Sequence, residues 1–223
     1  MESEVYGHFF RAEDSHWWFR ARRRVLATVM EGEFPKGGLT IADVGCGTGG
    51  MFALLSRFGE VTGVDEAPQA REYCSRRGPN RVLMLGEWER DQTRYDLITA
   101  FDVVEHVKDY LGFLRRLRPR GQLKLFHLPL EITVERLLRP NGFSSVRQRF
   151  GHLHHFTRQS ALASLEDTGY RVIDWLYTPS ELVLPPKSLG QRLARIPRRL
   201  VYMLHKGLAA KTTGGVSLMV LAE

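Results

Sequence analysis

The chain has 223 residues, of which 43% are hydrophobic and 26% are charged, with a formal net charge of +7. This length fits one domain with its own core and leaves little room for two. No apolar run reaches the roughly 18 residues of a membrane-spanning helix, and two cysteines exclude a disulfide framework, so a cytoplasmic location is expected.

The first predicted element is a helix that begins near Asp14 or Ser15, either of which can cap it, and ends near Met30. The residues before it, MESEVYGHFF, do not have the pattern of a secretory signal. A proline and two glycines at 35–38 break the chain after the helix. We therefore interpret residues 1–38 as an N-terminal helical cap.

Strands and helices alternate over the next ninety residues or so. This alternation indicates βαβ units, and right-handed crossovers put helices on both faces of a parallel sheet. The pattern predicts a doubly wound α/β fold. The predicted strands are 39–45, 60–65, 81–85, 95–101 and 121–128, and the predicted helices run from about 50 to 58, 67 to 77 and 108 to 118.

The rest of the chain is less regular. It reads as a short helix at 130–140, a loop rich in His and Arg at 141–157, a helix at 157–168, and two strands at 170–178 and 215–222.

A basic segment lies between the last two predicted strands. Residues 187–211 carry seven lysines and arginines and no acid. Their charge of +7 equals the net charge of the whole chain. Leucine and other apolar residues recur between these charges, which predicts an amphipathic helix. It could cover its own domain, form a dimer contact, or lie on an anionic membrane as a peripheral anchor.

The strongest chemical signal is the glycine-rich sequence IADVGCGTGG at 41–50, directly after the first strand. Glycines at 45, 47 and 49 permit a tight turn and a close approach of backbone N–H groups to a ligand. Their spacing matches neither a phosphate-binding loop nor a dinucleotide fingerprint. Asp65 ends the second strand, where a carboxylate can accept hydrogen bonds from both hydroxyls of a ribose.

Three segments together resemble the class I S-adenosylmethionine (SAM)-dependent methyltransferases, of the ubiquinone-biosynthesis and sugar-methyltransferase type. They are DVGCGTGG at 43–50, VTGVDEA at 61–67 and YDLITAFDVVEHV at 95–107. The resemblance implies a Rossmann-like seven-stranded sheet, mostly parallel with the last strand antiparallel, an N-terminal helix and a helical insertion before the last strand. It implies one methyltransferase domain over 1–223, with a SAM-binding core at 39–128 and an acceptor-side half at 129–223.

The same resemblance implies a set of SAM-binding residues. The methionine part is assigned to Asp43, Gly45, Cys46, Gly47 and Gly49, the ribose to Asp65 with Glu66 beside it, the adenine to Glu87 and Trp88, and the methyl-donor cleft to Phe101 and Asp102 with Ala100.

Candidate catalytic residues come from the histidines. Methyl transfer is an in-line displacement that gains most from orientation, and a base is needed where the acceptor is a hydroxyl or a protonated amine. We predict that one of His106, His154 and His155 is this base. Asp102, Glu105 and His106 also resemble a run that can bind a divalent metal in ubiquinone-type O-methyltransferases. A helix start with acids near its positive end is the favoured interpretation, and no metal site is assigned.

The sequence thus predicts SAM-dependent methyl transfer to an oxygen or nitrogen of a small molecule, such as a sugar, a glycan precursor or a lipid-linked intermediate. An RNA or other nucleic-acid methyltransferase is the main alternative, although residues 100–103 read AFDV rather than an Asn-Pro-Pro-Tyr-type motif. A non-catalytic SAM-binding protein is a third reading. The glycine spacing disfavours a nicotinamide oxidoreductase.

Overall fold

The structure is a computed structural model that describes residues 7, 10, 11, 13, 17–77, 81–179 and 198–223. Its strands form a seven-stranded sheet with the order β3-β2-β1-β4-β5-β7-β6. The strands are β1 (Leu39–Val44), β2 (Gly59–Asp65), β3 (Arg81–Met84), β4 (Tyr95–Phe101), β5 (Gly121–Pro129), β6 (Val172–Pro179) and β7 (Val216–Ala222).

The strand pairing confirms the predicted α/β fold. β1 pairs in parallel with β2 and with β4, and β2 pairs in parallel with β3. The last strand, β7, runs antiparallel to β6. All seven residues of β7 are buried, which is the continuous apolar pattern of a strand covered on both faces.

Nine helices with defined bounds accompany these strands in the described part of the chain. They are α1 (Trp17–Glu33), α2 (Phe52–Leu55), α3 (Pro68–Ser75), α4 (Leu85–Arg90), α5 (Tyr110–Leu117), α6 (Val134–Leu137), α7 (Gly142–Phe150), α8 (Arg158–Asp167) and α9 (Lys206–Thr212), with 3-10 turns at Val104–His106 and Arg118–Arg120.

The chain divides into two compact units. Unit 1 comprises Met1–Phe101 and Leu117–Leu125, and unit 2 comprises Asp102–Arg116 and Phe126–Glu223. In unit 1 the core lies along β1, β2 and β4, where Ile41, Val64 and Leu97 are fully buried. The predicted limits of a SAM-binding core at 39–128 do not coincide with these units, and the assignment of 1–223 to one domain stays a prediction.

The prediction of a loop at 141–157 is wrong for its first half, because α7 occupies 142–150. Phe143, Val146 and Phe150 recur at helical spacing, and Val146 is buried. Asn141 and Gly151 bound this helix in the left-handed conformation. The segment is rich in Ser, Arg and Gln, and this polar composition indicates a loop although the few apolar residues have helical spacing.

Other boundaries differ by a few residues. The helix predicted at 130–140 is reduced to α6, which Thr133 caps by accepting the Arg136 N–H. The sequence reading also missed α4, which begins at the residue after β3.

The basic segment is described only in part. Residues 187–197 lie outside the described residues, whereas 198–204 and α9 are helical. Met203 and Leu204 are 78% and 84% exposed in this part. None of the helices that the structure describes is both long enough and apolar enough to cross a membrane.

Candidate functional site

The glycine-rich turn lies at the carboxyl end of β1 in unit 1. Gly45, Gly47 and Gly49 all have positive φ, at 74°, 56° and 76°. A Cβ added at Gly49 would lie 3.0 Å from the Phe52 ring and 3.1 Å from the Cys74 sulfur. The turn therefore needs glycine at this position both for its backbone conformation and for space.

Asp65, at the end of β2, is bonded directly to this turn. Its Oδ2 accepts the Gly47 N–H at 2.9 Å, and its Oδ1 accepts the Ala67 N–H at 2.9 Å. Glu66, the next residue, is exposed. The carboxylate predicted to hold a ribose thus also fixes the glycine turn.

Two more predicted residues of the turn are buried. Asp43 is 3% exposed, and it accepts a hydrogen bond of 2.8 Å from the Thr99 hydroxyl. Cys46 is 7% exposed, with its sulfur 3.9 Å from that of Cys74. The hydrogen bond with Cys74 and burial raise the pKa of the Cys46 thiol well above its ordinary value. Cys46 therefore stays protonated at neutral pH.

The residues predicted near adenine have evident local roles. Glu87 accepts the Met84 N–H at 2.8 Å, and this bond lowers the pKa of its carboxyl, as does the ion pair with Arg71. Trp88 is 1% exposed, and the Arg120 guanidinium lies 4.2 Å from its ring centroid. Glu87 thus caps α4 and Trp88 packs in the core, and their contact with adenine stays a prediction. Phe101, at the end of β4, is 7% exposed.

In unit 2, a segment at 151–156 carries three histidines and is fixed by backbone hydrogen bonds. The Glu105 carbonyl accepts the N–H groups of Leu153 at 2.7 Å and His154 at 3.1 Å. The Phe156 carbonyl accepts the N–H of Glu131 at 3.0 Å, just beyond β5. The histidines are therefore held between the 3-10 turn after β4 and the end of β5.

Glu131 joins two of these histidines, and sequence reasoning missed it. Its Oε2 lies 3.0 Å from Nδ1 of His152 and 2.7 Å from Nδ1 of His155. Burial acts to raise the pKa of Glu131, but hydrogen bonds from the two histidines lower it below its ordinary value. An ionised Glu131 accepts from both Nδ1–H groups and so orients both rings. Its position just after a strand was the available signal.

Glu105, His106 and His152 form a group that could hold a metal ion. One ligand atom from each lies within 4.8 Å of the others. Glu105 is fully buried, and the His106 and His152 rings are 4.8 Å apart. Partial burial of its ring, and then the charge of nearby His152, lower the pKa of His106. A neutral His106 can serve as a ligand or accept a proton.

The structure separates the other predicted residues of this region. Asp102 contacts His127 at 2.6 Å, and it is not a member of the group just described. His154 lies apart from Glu131, with its Nε2 3.1 Å from the Lys108 carbonyl oxygen and its ring 4.6 Å from that of Tyr110. Among the residues that the structure describes, His155 is the one of the three candidate bases whose Nδ1 lies against a carboxylate.

Comparisons with known proteins bear on both units. Residues 8–174 match a family model described as methyltransferase domain. The chain is 29% identical over 214 residues to a ubiquinone biosynthesis O-methyltransferase from Methylobacterium, a match that covers 86% of this chain and 75% of that protein. A protein of the same name from Methylocella silvestris is 32% identical, over 50% of this chain and 46% of its own length.

A solved structure shares the fold. The crystal structure of a SAM-dependent methyltransferase from Archaeoglobus fulgidus matches with a TM-score of 0.61 and 18% sequence identity, over 96% of this chain and 98% of that one. At this identity the likeness concerns the arrangement of strands and helices alone.

Proposed function

Since the chain belongs to the methyltransferase domain family, we propose that it transfers a methyl group from SAM to a hydroxyl oxygen of a small-molecule acceptor. The observation that carries the choice of a hydroxyl is the pair formed by Glu131 and His155, 2.7 Å apart. A hydroxyl must lose its proton during transfer, and a histidine oriented by a carboxylate is suited to take it.

Unit 1 supplies the proposed cofactor-binding residues. The backbone of the turn at Gly45, Gly47 and Gly49 can approach the methionine part closely because these residues carry no side chain. Asp65 accepts hydrogen bonds from the ribose hydroxyls as well as those that it accepts from the N–H groups of Gly47 and Ala67. Asp43, on β1, and Cys46, within the turn, are both buried.

Unit 2 supplies the proposed proton acceptor. Since Nδ1 of His155 donates to Glu131, the neutral ring carries no proton on Nε2. That nitrogen takes the proton of the acceptor hydroxyl while the oxygen attacks the methyl carbon of SAM. The carbon–sulfur bond breaks, and its electrons stay on sulfur, which becomes a neutral thioether.

Glu105, His106 and His152 fit a divalent cation by their chemistry, one carboxylate with two imidazoles. The hydrogen bond from His152 Nδ1 to Glu131 adds to this fit, because ligand histidines commonly donate their other ring nitrogen to a carboxylate. A bound cation would lower the pKa of an acceptor hydroxyl and help to hold it. The chain's own residues would keep the donor atoms aligned.

The acceptor class is the finer part of the proposal. The relatives named above are O-methyltransferases of ubiquinone biosynthesis, which favours a phenolic or catecholic hydroxyl. Sugars, glycan precursors and lipid-linked intermediates remain the acceptors predicted from the sequence.

The test combines SAM binding with an acceptor screen. We expect calorimetry to give binding of SAM at one site, and mass spectrometry to give a methylated hydroxyl on one class among catechols, nucleotide sugars and polyprenyl-linked glycans. Prior dialysis against a chelator should lower the rate, and Mn²⁺ or Mg²⁺ should restore it. SAM binding without transfer to any hydroxyl, or transfer to amines alone, would contradict the proposal.

Substitution of His152 tests whether the cation binds at these three residues. His152→Ala should no longer respond to added cation, because it removes a ligand, whereas His154→Ala, outside the group, should respond like the parent protein. An equal response of both variants would argue against a cation at these residues.

Peripheral contact with an anionic membrane is part of the proposal. Met203, Leu204 and Leu208 are exposed, and Lys206 and Lys211 are exposed near them in sequence. Apolar side chains with neighbouring lysines favour the surface of an anionic bilayer.

Replacing Met203 and Leu204 together with glutamate is expected to lower co-sedimentation with phosphatidylglycerol vesicles severalfold, since both lost burial and added repulsion act against binding. Ile173→Glu, at an exposed apolar residue of β6, is the matched control and should bind as the parent protein does. Unchanged binding of the double variant would assign these residues another role.

A further inference from the structure

Asp102, the first residue after β4, has an unusual backbone. Its φ is 54°, in the left-handed region that residues other than glycine rarely adopt. Its N–H donates to the backbone carbonyl of His127 at 2.9 Å. Strained positions of this kind persist where the surroundings hold them, and they are frequent at functional sites.

The side chain of Asp102 is held by the same residue. Nδ1 of His127 lies 2.6 Å from Oδ1 of Asp102, and Nε2 of His127 lies 2.9 Å from the Thr178 hydroxyl on β6. His127 is 4% exposed and Thr178 is 3% exposed. The imidazole is therefore fixed at both nitrogens, inside the protein.

The protons of this network can be assigned without any added charge. A neutral His127 donates from Nδ1 to the carboxylate, and Nε2 accepts the hydroxyl proton of Thr178. Both ring nitrogens are then satisfied, which a buried imidazole requires.

The carboxylate itself reaches the surface. The side chain of Asp102 is 22% exposed, whereas that of His127 is 4% exposed. A carboxylate at the surface avoids the desolvation cost of full burial, and it is within reach of a bound ligand. The exposed end of this network is thus a carboxylate with a fixed direction.

We propose that His127 is a positioning residue that holds the Asp102 carboxylate in the direction needed to bind SAM. This inference rests on the proposed function and on the sequence-based prediction that Asp102 lines the methyl-donor cleft. SAM carries a sulfonium and an ammonium group, and a fixed carboxylate attracts a cation without first losing side-chain freedom. Thr178 fixes the ring orientation of His127 through its hydrogen bond to Nε2, and so acts on the Asp102 carboxylate indirectly.

Two substitutions separate positioning from packing. In asparagine the amide nitrogen stands at the same number of bonds from Cβ as Nδ1 of histidine, so His127→Asn keeps a donor for Asp102. In glutamine the nitrogen corresponds to Nε2, so His127→Gln keeps a polar amide near the Thr178 hydroxyl and loses the donor for Asp102. We expect His127→Gln to weaken SAM binding about tenfold, and His127→Asn to recover most of that loss.

Binding is measured by calorimetry, with thermal unfolding as the check on folding. Equal affinities of His127→Gln and the parent protein, or equal losses in both variants, would overturn the inference. A parent protein that binds no SAM would instead remove the proposed function.

A second readout does not depend on SAM. In protein labelled with ¹⁵N at histidine, the nitrogen shifts of His127 should show a proton on Nδ1 and none on Nε2. A ring with no proton on Nδ1 would also overturn the inference.

Discussion

Replacing His155 with alanine is expected to lower kcat for methyl transfer by about 100-fold or more, the usual effect of losing a general base. The affinity for SAM should stay within about twofold, because the residues proposed to bind SAM are the glycine turn, Asp65 and Asp102. Steady-state kinetics with the acceptor found in the screen, and calorimetry with SAM, measure the two quantities separately.

An acceptor that is already ionised at neutral pH makes this experiment sharper. Such an acceptor has no proton to lose, so His155→Ala should retain most of its activity with it. Glu131→Gln should lower the rate with the neutral acceptor, because the amide no longer favours the Nδ1–H form of His155 to the same degree. An equal loss with neutral and ionised acceptors would show that His155 has a different role.

Replacing Asp65 with alanine should raise the dissociation constant of SAM by about 30-fold or more, equivalent to roughly 2 kcal/mol. The substitution removes the acceptor for the ribose hydroxyls. It also frees the N–H groups of Gly47 and Ala67, both of which bond to this carboxylate at 2.9 Å. Both effects weaken binding, and neither requires the rest of unit 1 to unfold.

The matched control is Asp96→Asn. Asp96 lies at the start of β4, where it accepts from the Thr40 N–H at 2.8 Å, and ligands of such sheets bind at the opposite, carboxyl ends. SAM affinity should therefore be unchanged in this variant. A shift of less than twofold in Asp65→Ala would mean that the ribose is bound elsewhere.

The strands and the glycine turn of unit 1 could be predicted from the sequence, because they depend on residues close together in the chain. The strands of unit 1 are short segments with buried apolar residues. Gly45 and Gly47 follow β1 directly and Asp65 ends β2, so their meeting at one sheet edge follows from the strand order. Local periodicity and parallel pairing carry this information.

The contacts of unit 2 could not be predicted in the same way. Glu131 meets His152 and His155 because the chain returns after α7 and forms a bridge between Leu130 and Phe156. Asp102 and His127 meet across 25 positions of sequence. Unit 2 contains six histidines and several acids, so many pairings were compatible with the sequence, and only the tertiary fold selects among them.

The shared carboxylate of Glu131 has a consequence for any attempt to alter this protein. One oxygen atom aligns His152 and His155 together, so a change at that atom disturbs two rings that have separate proposed tasks. A substitution of Glu131 should therefore change cation binding and proton removal together. Changing one property alone therefore requires substitutions near Nε2 of the ring concerned, with Glu131 retained.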